Sequence, residues 1–368
     1  MSNSLLIASH SYILAGARGK VRELSRLTDL TLLVPHRWTF ELLKATAEAE
    51  ADAPFQLVII PVILPGRNIR YIYGVRSLVR TLRRVRPRVV LVEEEPTSLA
   101  LAQFSLLRKQ FDYHLFFFTW ENIYWQPQVT RWVERLNFKA ARGAIAGSQE
   151  AARFLRAKGF QEPVKVIPQM GIDPVQFQPP GEPRQNEPFT IGYVGRITKE
   201  KGLQTLFQAV AHLPGDWTLH MIGNGPLRSE LESEAHRAGW TDRLHWLDFV
   251  PRDKLPAHLQ QMHVLVLPSR TTSHWKEQFG RVLIEAMACG VPIVGSDSGA
   301  IPEVVGDAGL IFPEGDSEVL RQFLISLMEN PSLLRGLSTR AVERVRAHFT
   351  DQVIAKSLQQ FLFSGVRT

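Results

Sequence analysis

Short apolar runs recur along the first half of the chain, each followed by a longer stretch that mixes apolar and charged residues. Residues 4–8, 30–34, 57–61, 89–93, 114–119 and 143–147 have the length and composition of buried strands. The stretches between them have helical character, 74–85 and 129–141 most clearly. Strand–helix alternation predicts a parallel sheet covered on both faces. Ligands of such sheets sit beyond the C-terminal ends of the strands. The loops to watch are therefore 9–20, 35–38, 93–96, 120–125 and 148–149.

A break follows at 178–188, rich in Pro and polar residues and poor in apolar ones. The alternation then restarts, with strands predicted at 190–194, 218–222, 244–246, 264–267, 292–296 and 310–312. Helices are predicted over 202–211, 227–238, 254–261 and 280–289, and two more from about residue 318. No internal repeat or low-complexity tract interrupts the pattern. The reading is α/β, with two Rossmann-like domains facing across a cleft: residues 1–178, a linker over 179–188, and residues 189–350.

Composition narrows the class. The 368 residues are 45% hydrophobic and 21% charged, as in a globular protein with two cores. A single cysteine, Cys289, excludes a disulfide framework and fits a reducing compartment. No run approaches the roughly 18 apolar residues of a membrane-spanning helix, and no basic residue precedes the first apolar run as in a signal peptide. The expectation is a cytoplasmic protein, or one peripheral at the inner face of a membrane.

Charge is uneven, +9 over residues 1–180 and −2 over 181–368. The basic half suits an anionic surface, a polyprenyl-phosphate acceptor or nucleic acid, or is simply a solvated face. Arg76, Arg80, Arg83 and Arg84 fall on one face of a helix whose other face carries Leu78, Leu82 and Val85. Such a helix fits anionic lipid or an ordinary soluble surface. A nucleic-acid-binding protein, suggested by the pI of 9.6, lacks a recognition motif or zinc spacing.

The chemistry is concentrated between residues 191 and 315. Gly192-Tyr-Val-Gly-Arg-Ile-Thr-Lys-Glu-Lys-Gly202 leaves a strand through glycines, presents Arg196 and Lys201, and enters a helix. Glycine permits close backbone approach, a helix start supplies N–H donors, and two cations suit a diphosphate. Further on stands Glu277-Gln-Phe-Gly-Arg-Val-Leu-Ile-Glu-Ala-Met-Ala-Cys-Gly-Val-Pro292. Two glutamates eight apart on one helix would lie roughly 12 Å apart along its axis and ~80° around it. That exceeds the roughly 5–9.5 Å of glycosidase carboxylate pairs and suits gripping two ends of an extended ligand.

This segment closely resembles the signature of the retaining glycosyltransferases of family 4 (glycosyl transferases group 1), which adopt the two-domain GT-B fold. The resemblance extends through Val194-Gly-Arg196, Lys201-Gly202, Gly223-Asn-Gly-Pro226, Phe249-Val250 and Gly299-Ala-Ile-Pro-Glu303. It implies a metal-independent hexosyltransferase that moves a sugar from a nucleoside diphosphate sugar to an acceptor hydroxyl, saccharide or lipid-linked, in polysaccharide or glycolipid synthesis. It also implies a C-terminal helix over 351–368 that returns to the first domain. Glu277 would hold the donor sugar and Glu285 the ribose, with Phe279 and Gly280 offering backbone N–H groups. Gly195, Arg196 and Lys201 would clamp the diphosphate, and Asn224 and Val250 would line the base pocket. Glu303 opens a helix, and its role stays open. A sugar phosphorylase or an epimerase of the same fold is the rival enzyme reading.

The first half departs from the family. A Gly-Gly turn is usual in the first loop; here it reads Ala15-Gly16-Ala17-Arg18-Gly19-Lys20, so Gly16 would face the donor phosphate, with Arg18 added on the acceptor side. A histidine is usual after a mid-domain strand; here Trp120 and Glu121 stand there. Glu121 is either the base that deprotonates the acceptor or a structural strand-end acid. The run Glu93-Glu-Glu95 reads more readily as solvated loop charge than as part of a site. Trp275 either stacks on a sugar ring or packs against the core.

Overall fold

The computed structural model describes residues 4–40, 44–123, 130–181 and 188–364. The expected helix start at residue 129, the end of loop 120–125 and most of the expected linker lie outside them. The chain divides into two units, Met1–Gly171 with Asp351–Thr368, and Ile172–Thr350. Residues 172–178, read from the sequence as first domain, fall in the second unit. Ile172 and Phe177 are buried in its core, and Ile172 N–H donates to Phe349 O at 2.9 Å.

Among the described residues, the first unit holds a seven-stranded parallel sheet. Its strands are β1 (Ser4–Ala8), β2 (Asp29–Pro35), β3 (Gln56–Ile60), β4 (Val89–Val92), β5 (His114–Thr119), β6 (Gly143–Ala146) and β7 (Val164–Val166). They lie in the order β7-β6-β5-β4-β1-β2-β3. The two-residue side-chain period sends Leu5 and Ile7 into one core and Leu6 and Ala8 into the other, so both faces are covered. The helix Asp351–Phe363 closes one of those cores with Ile354, Ala355, Leu358 and Leu362, beside Val21 and Leu24 of α1 (Gly19–Ser25). Gly19 is needed there, because a Cβ would meet Asp351 Oδ2 at 2.1 Å.

The sequence pattern missed the short strand β7 and two antiparallel ribbons, Arg37–Thr39 with Lys44–Thr46 and Val62–Ile63 with Ile72–Tyr73. Three-residue and two-residue strands carry too little alternation to register. The helix α2 (Val75–Val85) follows the second ribbon, with Leu78 and Leu82 buried and Arg76, Arg80, Arg83 and Arg84 exposed.

The second unit repeats the plan with a six-stranded parallel sheet of β8 (Phe189–Val194), β9 (Trp217–Ile222), β10 (Leu244–Leu247), β11 (Val264–Leu267), β12 (Ile293–Ser296) and β13 (Gly309–Phe312). The order is β10-β9-β8-β11-β12-β13. Three helices follow where two were expected: Ser317–Glu329, Pro331–His348 and Asp351–Phe363. Asn330 makes the first break, because its side chain accepts from Leu333 N–H and Pro331 takes the first helical position. Among the described residues, no helix is long and apolar enough to cross a membrane.

Each sheet reverses its strand order once, between β1 and β4 in the first and between β8 and β11 in the second. Loops leaving neighbouring strands at such a point diverge to opposite faces and open a crevice. The loops beyond these four strands are the ones that carry the charged motifs.

Candidate functional site

In the second unit the reversal brings the loop after β8 against the loop after β11. Gly202 adopts φ +65°, and a Cβ there would lie 2.0 Å from Pro268 O. Arg270 N–H donates to Glu200 O at 2.8 Å, which ties the two loops together. Lys201 Nζ then stands 2.6 Å from Glu277 Oε2. Ser269 Oγ donates to the same carboxylate oxygen at 3.0 Å, and the Lys201 ammonium lies 4.5 Å from the centre of the Trp275 ring. Trp275 therefore backs Lys201, a third outcome beside the sugar stacking and core packing expected. Glu277 is itself pinned at the main chain: Ala300 N–H donates to its carbonyl at 3.0 Å, and Gly299, with φ +53°, leaves the room for that approach.

Arg196 is 45% exposed and stands 3.7 Å from Glu200. Its carbonyl accepts from Tyr193 O–H at 2.7 Å. Burial, followed by the Glu277 charge, raises the Tyr193 phenol well above its ordinary value, so it remains a donor. Burial opposes ionisation of Glu200, yet bonds from its own N–H and Thr198 with the charges of Arg196 and Lys201 hold its carboxyl below the usual range. Gly195 plays a different part from the one expected. Its N–H donates to Ile222 O at 2.9 Å, so it secures the loop.

Glu277 precedes α3 (Arg281–Ala288), while Glu285 lies on it. The one-helix spacing of the two glutamates therefore does not apply. Gly280 caps that helix with φ +69°, and the Phe279 ring packs into the core, 6.0 Å from Phe349. Glu285 is buried; its Oε1 accepts from Arg252 Nε at 3.2 Å and forms an ion pair with Arg281 Nε at 3.1 Å. Asn224 is exposed; its Oδ1 accepts from Gly225 N–H at 2.7 Å and its Nδ2 reaches Asp248 at 3.4 Å. Val250 is half-buried against the core beside Phe249, which is 84% exposed. Glu303 sits in the first turn of a short helix, Ile301–Val305.

The first unit corrects two readings. Arg18, expected to face an acceptor, is fully enclosed: its guanidinium donates to the carbonyls of Tyr12, Ile13 and Glu48 and pairs with Glu50 at 2.9 Å. It pins the first loop. The acid run is enclosed too, against the expectation of solvated charge. Glu93 receives Lys20 Nζ at 2.6 Å, Tyr12 O–H at 2.7 Å and Gln169 Nε2 at 3.1 Å. Glu95 receives Thr119 Oγ1 at 2.5 Å and Trp120 N–H at 2.9 Å. Burial, then the Glu121 charge, pushes the Glu95 carboxyl up to about 8 against those bonds.

Glu121, read as either a base or a structural acid, is an ion-pair member: Lys158 Nζ lies 2.7 Å from its Oε2 and pairs with Glu134 as well. Trp120 is half-buried on Gly147, with its indole N–H on Gln169 Oε1 at 3.0 Å. Gly16 lies exposed in the turn Ala15–Ala17, and nothing stands within 4 Å of where a Cβ would be. No packing demand explains that glycine.

Sequence reasoning passed over Ser269, Arg252, Arg281 and Tyr193. Arg281 carried a signal, since it lies four residues before Glu285 on a predicted helix. Ser269 and Arg252 reach the site through tertiary contacts, while Tyr193 reaches Arg196 across its own loop.

Residues 175–344 match the family model described as Glycosyl transferases group 1. The chain is 30% identical over 224 residues to 2-deoxystreptamine glucosyltransferase of Streptomyces kanamyceticus, 56% of each chain. It is 29% identical over 195 residues to the GDP-mannose-dependent alpha-(1-6)-phosphatidylinositol monomannoside mannosyltransferase of Mycolicibacterium smegmatis, covering 49% of this chain and 51% of that one. The chain thus spans about half the length of the curated relatives it matches. Its fold is similar to that of Anabaena HepE in complex with UDP, with a TM-score of 0.75 and 18% identity over 98% of this chain and 100% of that one. That likeness shows a GT-B fold.

Proposed function

We propose that this chain, whose second unit belongs to the glycosyl transferases group 1 family, moves a hexose from a nucleoside diphosphate sugar to an acceptor hydroxyl with retention at the anomeric carbon. The observation that carries the reading is the juxtaposition of Lys201 and Glu277, 2.6 Å apart where the second sheet reverses, with Arg196 on the same loop. Lys201 and Arg196 offset the charge that develops on the leaving diphosphate, a stabilisation that fixed cations supply without a metal. Glu277, steadied by Ser269, accepts hydroxyls of the donor sugar. Glu285 receives the ribose hydroxyls with its carboxylate already oriented by Arg252 and Arg281. HepE, a protein of the same fold, is in complex with UDP, which supports a nucleotide-bearing donor.

The acceptor is a saccharide or a lipid-linked hydroxyl, in line with the 2-deoxystreptamine and phosphatidylinositol monomannoside in the relatives' names. A cytoplasmic location, with the exposed arginine face of α2 against an anionic membrane, belongs to the same proposal. Flotation with phosphatidylglycerol vesicles, lost on charge reversal of those arginines, is its check.

The donor reading is tested by thermal stability against UDP, GDP, ADP, CDP and dTDP, without and with metal. One nucleotide is expected to raise the melting temperature by several degrees, since ligand at about 100 times its dissociation constant adds about 2.7 kcal/mol. No shift from any of the five, in a folded sample, would refute it.

A further inference from the structure

We infer that His10, oriented by Glu94, is a hydroxyl-binding group that holds the sugar acceptor on the first unit. The inference rests on the glycosyltransferase reading for the word acceptor, and on the first unit alone for its geometry. His10 follows β1 and Glu94 follows β4, the two strands that flank the reversal of the first sheet. This is where an open parallel sheet presents its crevice.

The pair has the construction of a held imidazole. His10 Nδ1 lies 2.7 Å from Glu94 Oε1, and the Glu94 side chain is only 2% exposed. The same oxygen accepts Tyr71 O–H at 2.6 Å and the His10 backbone N–H at 3.3 Å. An oxygen already receiving these donors acts as a carboxylate acceptor, so Nδ1 carries the proton and Nε2 is the nitrogen left to meet a ligand. The ring is stacked on the buried Trp38, with centroids 4.3 Å apart and planes at 19°, and meets the edge of Tyr71 at 6.2 Å. The imidazole is 18% exposed, and Nε2 makes no hydrogen bond among the described residues.

Chemistry then selects the ligand class. A partly exposed ring nitrogen held beside a buried carboxylate exchanges a hydrogen bond with a neutral hydroxyl, and the carboxylate disfavours an anion. The ligand it recognises is therefore a hydroxyl, and the fixed ring plane gives that hydroxyl one direction of approach. The neighbouring acids do not compete, because Glu93 is closed by Lys20, Tyr12 and Gln169, and Glu95 by Thr119 and Trp120. Glu94 is a positioning residue, acting through the imidazole.

The test is nitrogen-15 NMR of the histidine rings in the full chain, titrated with methyl α-D-glucopyranoside and methyl α-D-mannopyranoside, and separately with inorganic phosphate. His10 is expected as the Nδ1-protonated tautomer, with Nε2 moving on addition of at least one glycoside and not with phosphate. Glu94→Gln should abolish both the tautomer and the response, and Glu94→Asp should restore part of each. His10→Ala should weaken the apparent glycoside affinity at least tenfold. The opposite tautomer, a response to phosphate alone, or His10 signals unmoved by either glycoside would overturn the assignment. The nucleotide panel on the same sample separates the two readings. A nucleotide shift without a glycoside response sinks this assignment alone, and the reverse sinks only the donor reading.

Discussion

The two sheets share one topology and put charge at the same place, yet they use it in opposite ways. At the reversal of the first sheet, Lys20 and Glu93 are 3% and 1% exposed and are closed within a network of Tyr12 and Gln169. At the reversal of the second, Arg196 is 45% exposed, while Lys201 and Glu277, 13% and 9% exposed, pair beside loops tied together by the Arg270–Glu200 backbone bond. Strand order fixes where a site sits. Whether the charges there are structural or available is decided by how many partners each already has.

The contrast is broken most forcefully at Lys20. Lys20→Met leaves Glu93 buried without its cation, and removing one partner of a buried pair costs about 3–5 kcal/mol. Urea denaturation checks this, and a loss below about 1 kcal/mol would mean that water reaches the cluster.

Next in size is Glu285→Gln. The amide keeps the shape but loses the charge that organises Arg252 and Arg281. Nucleotide affinity is expected to fall about tenfold, which is about 1.4 kcal/mol, with the melting temperature of the free protein little changed. Calorimetric titration reads it, and unchanged affinity would remove the ribose assignment.

A pH slope in the first unit sharpens the comparison further. The Glu95 carboxyl lies above its ordinary 4.5, at about 8. The folded chain therefore holds this proton more tightly than the unfolded chain. Its contribution favours folding at low pH and declines as pH rises from about 4.5 to about 8. Glu95→Gln should flatten that slope in denaturation curves collected across the range; an unaltered slope would locate it elsewhere.

Much of the fold was legible because most of the sheet strands are apolar runs of four or more residues between helical stretches. β1, β5 and β11 match their predicted bounds, and most others differ by a residue at an end. The second unit's candidate site was legible for another reason: Arg196 and Lys201 follow a strand end, and Glu277 and Glu285 stand in the segment that carries the family resemblance. The first unit's polar cluster was not. Glu93, Glu94 and Glu95 look like a solvated run until Lys20, His10 and Thr119 arrive from other strands. Arg18 misled for the same reason, since the carbonyls that enclose it lie on its own folded loop and on Glu48. His10 gave no signal, because its partners Glu94, Trp38 and Tyr71 are distant in sequence.

The central claim is that Arg196 and Lys201 act on the leaving diphosphate. It is tested most directly by steady-state release of nucleoside diphosphate from the matching nucleotide sugar, native chain against Arg196→Ala with Lys201→Ala. The account predicts a fall in kcat on the order of 100-fold or more, with a smaller loss of donor binding. A double variant that turns over within a few-fold of the native chain would contradict it.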